Sequence, residues 1–269
     1  MSPKKILVLG GTGFVGSRVL DLMLHRGWAA VSLSRRGAPK EPLPDVSDRV
    51  VSEVDWRAGD ASTPGVVEKI VRESGPFDAV VHAVGALFDS TSGLGRFNRY
   101  VSGSGSVPSE GASYDGITRQ TALSLLAACK EPHVARGTPF VFVSAAEAGW
   151  PEMAGGQTIE RFAPDWLKRY LTAKRSVEAA LLAQDRVRPV VLRPSLVWNW
   201  QKWDMLVPVA LFSAASAIGV PFVKRPIRIE DLAEAAAVAA ESGVDDGAKP
   251  RGMLFYEEMQ DLLRSAGKR

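Results

Sequence analysis

Short apolar runs alternate with longer amphipathic segments over most of the chain. The runs KILVLG, WAAVSLSRR, RVVSEVDW, FDAVVHAVG, TPFVFVS and RPVVLRP have the length and the β-branched content of buried strands. The segments SRVLDLMLHRG, PGVVEKIVRESG and RFAPDWLKRYLTAKRSVEAALLAQ carry apolar residues at helical spacing. Because strands that alternate with helices form parallel sheets covered on both faces, the pattern predicts an α/β fold with a doubly wound parallel sheet.

The remaining segments extend this organisation to the end of the chain. Residues 86–113 are rich in Gly and Ser and have no periodicity, which indicates a loop. Helices are predicted in YDGITRQTALSLLAACKE, in IEDLAEAAAVAAESG and in YEEMQDLLRSAG. We therefore divide the chain into a main domain, residues 1–194, and a small, mainly helical C-terminal lobe, residues 195–269, which is interleaved with it.

The stretch 205–223 carries no charged residue and meets the length criterion for a membrane span. Pro208 and Pro221 interrupt it, so a buried helix of the small lobe is the favoured interpretation. The alternative is a peripheral contact of residues 198–225 with lipid, with a quinone tail or with subunits of a membrane complex. The flanks of the stretch carry Trp198, Trp200 and Trp203 on one side and Lys224 and Arg225 on the other.

Composition and charge exclude several classes of protein. Hydrophobic residues make up 46% of the 269 positions, which is enough for a substantial core. The 33 basic and 30 acidic residues give a formal charge of +3 without a dense basic run, so we expect no nucleic-acid partner. The single Cys129 cannot form a disulfide within the chain, and no metal site is assigned. Only SPK separates Met1 from the first predicted strand, so we expect no signal or transit peptide unless a presequence has been removed.

A glycine-rich turn, GGTGFVG, lies between the first predicted strand and the first predicted helix. Gly10, Gly13 and Gly16 allow a turn too tight for side chains and bring backbone amides at a helix N-terminus close to a pyrophosphate. The alternative is a glycine turn used only for packing. The placement between strand and helix favours dinucleotide binding, with contacts from Gly10, Thr12, Gly13, Phe14, Val15 and Gly16.

The end of the second predicted strand selects between the two nicotinamide cofactors. An NAD site carries an acid there for the ribose hydroxyls, whereas an NADP site carries an arginine for the 2′-phosphate. The sequence VSLSRRG provides Ser34, Arg35 and Arg36, and the next acid is Glu41. NADP(H) is therefore the predicted cofactor, with NAD(H) as the alternative if both arginines are simply solvated.

A lysine occupies the apolar face of one predicted helix. At helical spacing Lys174 projects to the same side as Leu167 and Leu171, and Tyr170 lies one turn before it. The phenol and the ammonium are therefore held side by side by the backbone. The alternative is that Lys174 extends to solvent and pairs with Glu178, one turn later.

The motifs GGTGFVG, FVFVSAAEA, Tyr170-x-x-x-Lys174 and LRPSLVW, in this order, resemble the short-chain dehydrogenase/reductase superfamily in its extended or atypical branch. The resemblance covers most of residues 4–242 and implies a Rossmann dinucleotide-binding fold. It also implies that Lys174 binds the nicotinamide ribose and lowers the pKa of Tyr170, which then passes a proton to or from a carbonyl oxygen. Ser144, at the end of a strand, is implied to orient that oxygen.

The resemblance also implies cofactor contacts beyond the glycine turn. Asp60, in RAGDAST after the third predicted strand, matches the residue beside the adenine. The end of the fourth strand, VVHAVG, matches a segment that lines the cofactor. The residues implied there and after the strand RPVVLRP are His82, Ala83, Val84, Gly85, Arg193 and Pro194.

Three further segments, SYDGITRQTALSLLAA, YLTAKRSVEAAL and KRPIRIEDLAEAA, resemble mitochondrial atypical members of this superfamily. These are the fungal proteins associated with ubiquinone biosynthesis, their plant and algal relatives, and the nicotinamide-binding accessory subunit of respiratory complex I. The resemblance implies an NADP-dependent oxidoreductase acting on an apolar carbonyl or a quinone-pathway compound. The alternatives are a non-catalytic accessory subunit of a membrane complex and a sensor of the NADPH/NADP ratio. It implies the matrix side of the mitochondrial inner membrane, with plastid or cytoplasm as alternatives.

Overall fold

A parallel sheet of seven strands lies at the centre of a computed structural model that describes residues 3–95, 108, 111–199, 224–242 and 250–267. The strands are β1 (Lys5–Leu9), β2 (Ala29–Ser34), β3 (Asp55–Ala58), β4 (Ala79–His82), β5 (Pro139–Val143), β6 (Arg188–Leu192), β7 (Val197–Trp198), β8 (Ile227–Arg228) and β9 (Gly252–Leu254). The sheet order is β3-β2-β1-β4-β5-β6-β9, and β7 pairs with β8 separately. The strand order reverses beside β1, so a crevice opens at the carboxyl ends of β1 and β4.

Helices cover both faces of this sheet. They are α1 (Phe14–His25), α2 (Arg49–Glu53), α3 (Val66–Ser74), α4 (Thr121–Ala128), α5 (Gly156–Phe162), α6 (Asp165–Leu182), α7 (Ile229–Glu241) and α8 (Tyr256–Ser265). A π-helical turn, Asp115–Gln120, leads directly into α4. Two 3₁₀ turns, Ser90–Ser92 and Ala146–Glu152, occupy connections at the carboxyl edge of the sheet.

The central strands are buried on both faces because successive side chains enter different cores. In β1, Ile6 and Val8 belong to the core shared with α1, α7 and α8, whereas Leu7 and Leu9 belong to the core shared with α3, α4 and α6. All four side chains are fully buried. The prediction of an α/β fold with a doubly wound parallel sheet is confirmed.

Two local predictions were wrong. The run RVVSEVDW is not one strand, because its first part forms α2, in which Arg49 and Glu53 pair one turn apart and Val50 faces the core. The segment RFAPDWLKRYLTAKRSVEAALLAQ is not one helix, since Pro164 separates α5 from α6. Ala163, which precedes the proline, has the extended backbone that this position favours.

The C-terminal elements complete the main sheet rather than forming a distant unit. Strand β9 pairs with β6, and α7 packs on α1, where Arg26 bridges Glu234 and Glu241. The boundary between residues 194 and 195 stays a prediction. The stretch 205–223 lies outside the described residues. Within the described part of the chain, no helix combines the length and the apolar character that crossing a membrane requires.

Candidate active site

The glycine turn lies in the crevice between β1 and β4. Gly10 has a backbone φ of +89°, which favours glycine, and a Cβ there would lie 3.0 Å from the backbone of Ala83 and Val84. The turn therefore packs directly against the backbone that follows β4. This position, at the point where the strand order reverses, is where open α/β sheets bind their ligands.

The other two glycines shape the first turn of α1. A Cβ on Gly16 would lie 2.3 Å from the carbonyl oxygen of Gly10, so the turn itself excludes a side chain there. A Cβ on Gly13 would lie 3.1 Å from the same oxygen, with no other heavy atom close by. The helix begins at Phe14, and the amides of Phe14, Val15 and Gly16 precede the first possible intrahelical acceptor. These amides form the cradle that a pyrophosphate requires.

A groove over this turn contains a residue that the sequence analysis missed. The groove is lined by Thr12, Gly13, Phe14, Ser17, Arg18, Leu43 and Pro44. The Arg18 guanidinium is buried, donates to the Phe14 carbonyl at 3.0 Å and forms an ion pair with Asp45 at 2.7 Å. It brings positive charge to the wall of the groove and fixes the loop after β2 beside the turn. The spacing of Arg18 from the glycines, one turn into α1, could have indicated this role.

We expect Gly13→Val to reduce the affinity for NADPH and NADH by about 100-fold or more while leaving the fold intact. The added side chain would enter the open groove that a bound pyrophosphate would occupy. Fluorescence titration with each cofactor and thermal unfolding would measure both quantities. Normal binding by this variant would place the cofactor elsewhere. Gly16→Val is the contrasting variant, and it should unfold at a clearly lower temperature because its clash is with the backbone.

The residues at the end of β2 adopt a compact turn. Ser34 donates its hydroxyl to the Gly37 carbonyl at 2.6 Å, so this side chain holds the turn. Arg35 and Arg36 are exposed at the carboxyl edge of the sheet, as a 2′-phosphate site requires. The structure thus brings both arginines to the predicted place, and their contact with a cofactor stays a prediction.

Asp60 follows β3 and faces this turn. Its Oδ1 accepts hydrogen bonds from the Ser62 amide at 2.8 Å and the Ser62 hydroxyl at 2.7 Å. These bonds, and the nearby positive charge of Arg35, hold the pKa of Asp60 below its usual value. Asp60 is therefore an ionised acid beside the end of β2, in a position that suits the predicted contact with adenine.

Lys174 is directed into the protein, not toward solvent. It is 3% exposed, and its Nζ donates to the Val143 carbonyl at 2.7 Å at the end of β5. The ammonium lies 5.0 Å from the Phe142 ring centroid and 3.7 Å from the position of a Cβ on Gly85. The alternative of a solvent-exposed pair with Glu178 is therefore wrong. The lysine reaches the carboxyl ends of β4 and β5, where the predicted nicotinamide would lie.

Burial changes the ionisation of this lysine. Loss of hydration lowers the pKa of Lys174 to about 8, although the charge of Glu178 opposes the change. At neutral pH the ammonium is the main form. The ammonium has three N–H donors. One of them is bonded to the Val143 carbonyl, so two remain available to a ligand.

We expect cofactor affinity to fall as the pH rises through about 8, because Lys174 then loses its proton and its positive charge. The folded pKa lies below the ordinary value of 10.5, so the charge is lost at a lower pH than in an exposed lysine. Titration with NADPH from about pH 7 to about pH 10 would measure the change. A flat profile for the unaltered protein would contradict the assignment of Lys174 to the cofactor.

Tyr170 lies one turn before Lys174 and is partly buried. The Tyr170 ring packs edge to face against Tyr114, with the two ring centroids 5.6 Å apart. The Lys174 ammonium lies 5.6 Å from the Tyr170 ring centroid. Burial, the charge of Glu147 and Tyr114 all raise the pKa of Tyr170. The implied lowering of this pKa by Lys174 was wrong, because the ammonium faces the ring and Val143 and the loss of hydration dominates. The phenol is therefore protonated at neutral pH.

Ser144, directly after β5, is hydrogen-bonded to α6. Its hydroxyl, which is buried, donates to Glu178 at 2.6 Å. Glu178 in turn accepts two hydrogen bonds from Arg193, whose guanidinium also bridges Glu152 with two bonds of 2.8 Å. The hydroxyl of Ser144 therefore belongs to this buried ionic network, and its orientation of a carbonyl oxygen stays a prediction.

The same network corrects the prediction for Arg193. This residue is 1% exposed, and two carboxylates occupy its guanidinium. Pro194 is also buried, and its carbonyl accepts the Ala146 amide at 2.8 Å, which ties β6 to the turn after β5. Arg193 therefore supports the site from behind, and the contact of Pro194 with a cofactor stays a prediction.

His82, at the end of β4, is also a supporting residue. It is fully buried, its Nε2 lies 2.8 Å from the Thr121 hydroxyl, and burial lowers its pKa to about 3. The imidazole is therefore neutral. Thr121 begins α4 directly after the π-helical turn, whose irregular bonding allows this contact. After His82, the chain runs past the glycine turn toward Lys174 through Ala83, Val84 and Gly85.

Glu147 was missed at the sequence level although it lies in the quoted motif FVFVSAAEA. It is partly buried in the turn after β5, and its charge acts on Tyr170. Burial raises the pKa of Glu147, and the Ser195 hydroxyl lies 3.4 Å from its Oε1. An acid within an otherwise small and apolar stretch was the signal that could have identified it.

The fold and the glycine turn are those of a nicotinamide-dinucleotide-binding protein. The family model described as NAD(P)H-binding matches residues 10–241. The chain belongs to that family. It is 25% identical over 224 residues to MIOREX complex component 2 of Saccharomyces cerevisiae, covering 72% of this chain and 73% of the yeast protein. It is 26% identical over 200 residues to an uncharacterised chloroplastic protein of Arabidopsis thaliana and covers 52% of that protein's length and 74% of its own.

Solved structures share the fold at low sequence identity. The UDP-glucose 4-epimerase of Thermus thermophilus, solved with NAD, is 22% identical and superposes with a TM-score of 0.56 over 98% of this chain and 84% of its own. A short-chain dehydrogenase/reductase of Brucella melitensis described as glucose/ribitol dehydrogenase is 12% identical, with a TM-score of 0.60 over 94% of this chain and 95% of its own. These likenesses establish the fold alone.

Proposed function

We propose that the protein is an NADPH-dependent reductase that acts on a small apolar carbonyl compound, such as one of the quinone pathway. The observation that carries this proposal is the buried Lys174, one turn from Tyr170 and directed at the carboxyl ends of β4 and β5. A charged lysine in an apolar interior costs folding free energy, which is typical of a functional position. The ribose hydroxyls of a dinucleotide would accept the two ammonium donors that Val143 leaves free.

The residues present fit such a cofactor. Gly13 leaves open space at the turn for a pyrophosphate, Gly10 and Gly16 allow the turn its tight backbone, and the first amides of α1 have no intrahelical acceptor. From there the end of β4 leads to Gly85, whose missing side chain leaves the ammonium of Lys174 uncovered.

The chemistry requires one proton and one hydride. When bound, the reduced nicotinamide supplies the hydride to the carbonyl carbon. Tyr170 donates its phenolic proton to the carbonyl oxygen, so that a ketone becomes an alcohol. Because the pKa of Tyr170 is raised, the phenol carries its proton at neutral pH and acts as the acid. Lys174, one turn away, would hold the nicotinamide ribose through the donors that Val143 leaves free.

The surroundings of Tyr170 favour an apolar substrate. Tyr170 packs against an apolar cluster of Ala145, Ala148 and Leu171, and Trp150 and Leu167 pack against the same cluster. Such a wall binds hydrocarbon surface and excludes water from the reacting carbonyl. A panel of apolar ketones and quinones, with NADPH consumption as the readout, tests the proposal. If the protein binds NADPH but reduces none of these ketones and quinones, the proposed reductase function is contradicted.

We expect the protein to bind NADPH about tenfold or more tightly than NADH, because Arg35 and Arg36 can form charge-assisted hydrogen bonds to the 2′-phosphate. Replacing both arginines by alanine should remove the preference and leave the affinity for NADH unchanged. Titration of both proteins with both cofactors supplies this internal control. Equal affinities in the unaltered protein would refute the preference for NADP(H).

A second function, as a nucleotide-binding subunit of a membrane complex of the complex I type, has two observations in its favour. The yeast relative is named as a component of a complex. Phe162, which is 83% exposed on α5, is an apolar surface residue that a partner could cover. This function would be supported over catalysis if the native protein migrated with a large assembly and its bound NADPH were not oxidised by any carbonyl compound tested.

Location and membrane contact also belong to the proposal. We expect an organelle, with the mitochondrion favoured by resemblance, and the plant relative is described as chloroplastic. Of the predicted contact region, Lys224 and Arg225 lie within the described residues, where they pack over the rings of Phe255 and Tyr256. Fractionation of the native protein between soluble and membrane pools would test both expectations.

A further inference from the structure

The groove beside the start of α1 contains two polar side chains that the sequence analysis did not assign to the cofactor. These are Ser17 and Arg18, which follow Phe14, the first residue of α1, by about one turn. Positions at this spacing lie on one side of a helix, so both side chains are held beside the helix N-terminus. The groove is lined by Thr12, Gly13, Phe14, Ser17, Arg18, Leu43 and Pro44.

The Ser17 hydroxyl is available to a ligand in this groove. Ser17 is 3% exposed, and its backbone amide donates to the Gly13 carbonyl at 3.0 Å. Its hydroxyl forms no hydrogen bond within the part of the chain that the structure describes, whereas Ser176 and Ser265, on other helices, each donate to a carbonyl one turn earlier. Because buried hydroxyls are normally hydrogen-bonded, a ligand in the groove would supply the partner that the protein does not.

Arg18 places a buried positive charge against the same groove. Its side chain is 7% exposed, and the guanidinium donates to the Phe14 carbonyl at 3.0 Å and to Asp45 at 2.7 Å. A guanidinium has five N–H donors in a planar fork, so further donors remain after these two bonds. The fork matches the spacing of phosphate oxygens, which makes arginine a preferred partner of phosphate groups.

The helix N-terminus adds to the positive potential of the groove. The first amides of α1 have no intrahelical acceptor, and they carry the partial positive charge of the helix dipole. The first turn of α1 contains no acidic residue that would offset this charge. A hydroxyl donor, a guanidinium and free amides on one wall together favour an anion with several oxygens, such as a phosphate group.

The ion pair between Arg18 and Asp45 has a second role in the fold. Asp45 belongs to the strap, residues 43–45, whose Leu43 and Pro44 form the outer wall of the groove. Its backbone φ of +59° is uncommon for a residue other than glycine, and such a conformation persists where the surrounding contacts determine it. The pair with Arg18 therefore also fastens the strap, and a test of ligand binding must separate the two roles.

We propose that Arg18 and Ser17 bind a phosphate group of the dinucleotide in this groove. This inference rests on the cofactor binding of the proposed function and adds two side-chain contacts to the backbone amides of the glycine turn. Two phosphate sources share this chemistry. The pyrophosphate is common to NADPH and NADH, whereas the 2′-phosphate is carried by NADPH alone.

The test measures the affinity of the full chain and its variants for NADPH and for NADH by fluorescence titration. We expect Arg18→Met to bind about tenfold or more weakly, and Ser17→Ala about threefold or more weakly, because each variant loses hydrogen bonds to the phosphate. An equal loss for both cofactors would assign these contacts to the pyrophosphate, and a loss for NADPH alone would assign them to the 2′-phosphate. Unchanged affinity of both variants for both cofactors would overturn the proposal.

Asp45→Ala separates phosphate binding from the fastening of the strap. If Arg18 only fastens the strap, Asp45→Ala and Arg18→Met should weaken binding by the same factor, since both break the same ion pair. If Arg18 binds phosphate, Asp45→Ala keeps the cation and removes an opposing carboxylate, so affinity should stay within about threefold or rise. Equal losses in these two variants would therefore also overturn the proposal.

The affinity of the unaltered protein for NADPH is measured first, and thermal unfolding establishes that each variant folds. An unaltered protein that binds neither cofactor would contradict the proposed function itself. If it binds NADPH, a failure of the Arg18 and Ser17 variants to lose affinity contradicts only the phosphate contacts inferred for these two residues.

Discussion

Lys174→Met should bind NADPH at least about 100-fold more weakly than the unaltered protein and yet be more stable. The weaker binding follows because the ammonium is the buried cation that faces the predicted nicotinamide ribose. The greater stability follows because burial lowers the pKa of Lys174 to about 8. Below that pH the charged side chain costs on the order of 3 kcal/mol of folding free energy, which methionine does not.

The hydrogen bond to Val143 offsets part of this gain, so we expect the free energy of unfolding to rise by about 1–2 kcal/mol at neutral pH. In the unaltered protein, the folding cost of the charged lysine should decline between pH 8 and the ordinary lysine pKa of 10.5. The difference in stability between the variant and the unaltered protein should therefore become smaller as the pH rises. Urea unfolding at two pH values measures this. Lys168→Met, the same change at a half-exposed site of α6, should alter neither binding nor stability.

A Lys174→Met protein that binds NADPH normally would show that this lysine serves only packing. A variant that is strongly destabilised would show that the ammonium is a net stabilising group, which is the opposite of the functional interpretation.

Tyr170→Phe should lower the rate of carbonyl reduction by on the order of 100-fold or more and leave NADPH affinity within about twofold. The change removes the proton donor but keeps the ring that packs on Tyr114. Steady-state rates with the best ketone of the panel, together with cofactor titration, separate the two effects. The loss should appear in the turnover number more than in the Michaelis constant.

Tyr256→Phe is the matched control for this variant. Tyr256 begins α8 and packs under Arg225, away from the Tyr170 cluster, so its hydroxyl should be dispensable. If Tyr170→Phe retained the full rate, the Tyr170 phenol would be excluded as the proton donor. The proposed mechanism of the short-chain dehydrogenase/reductase type would then be rejected.

The sequence predicted the parts of the site that depend on local geometry. Gly10, Gly13 and Gly16 were assigned correctly to the turn at β1 because spacing alone identifies a strand, a tight turn and a helix start. The inward direction of Lys174 followed from helical periodicity and from the resemblance together. These features need information from a few neighbouring residues only.

Side-chain roles that depend on distant partners could not be predicted in the same way. Ser144 and Arg193 lie at strand ends in the expected order, but Glu178 on α6 and Glu152 in the turn after β5 bind them. The pKa of Tyr170 likewise depends on burial created by separate segments. Only the packed structure shows which polar groups are satisfied and which remain available.

The central claim is that a nicotinamide bound at Lys174 transfers hydride to a carbonyl held by Tyr170. Its most direct test uses NADPH deuterated at the transferable position of the nicotinamide, incubated with the protein and the ketone panel. We predict an alcohol that carries deuterium on the former carbonyl carbon, in one enantiomer only, and its loss in Tyr170→Phe. Recovery of unchanged ketones together with intact, protein-bound NADPH would contradict the claim.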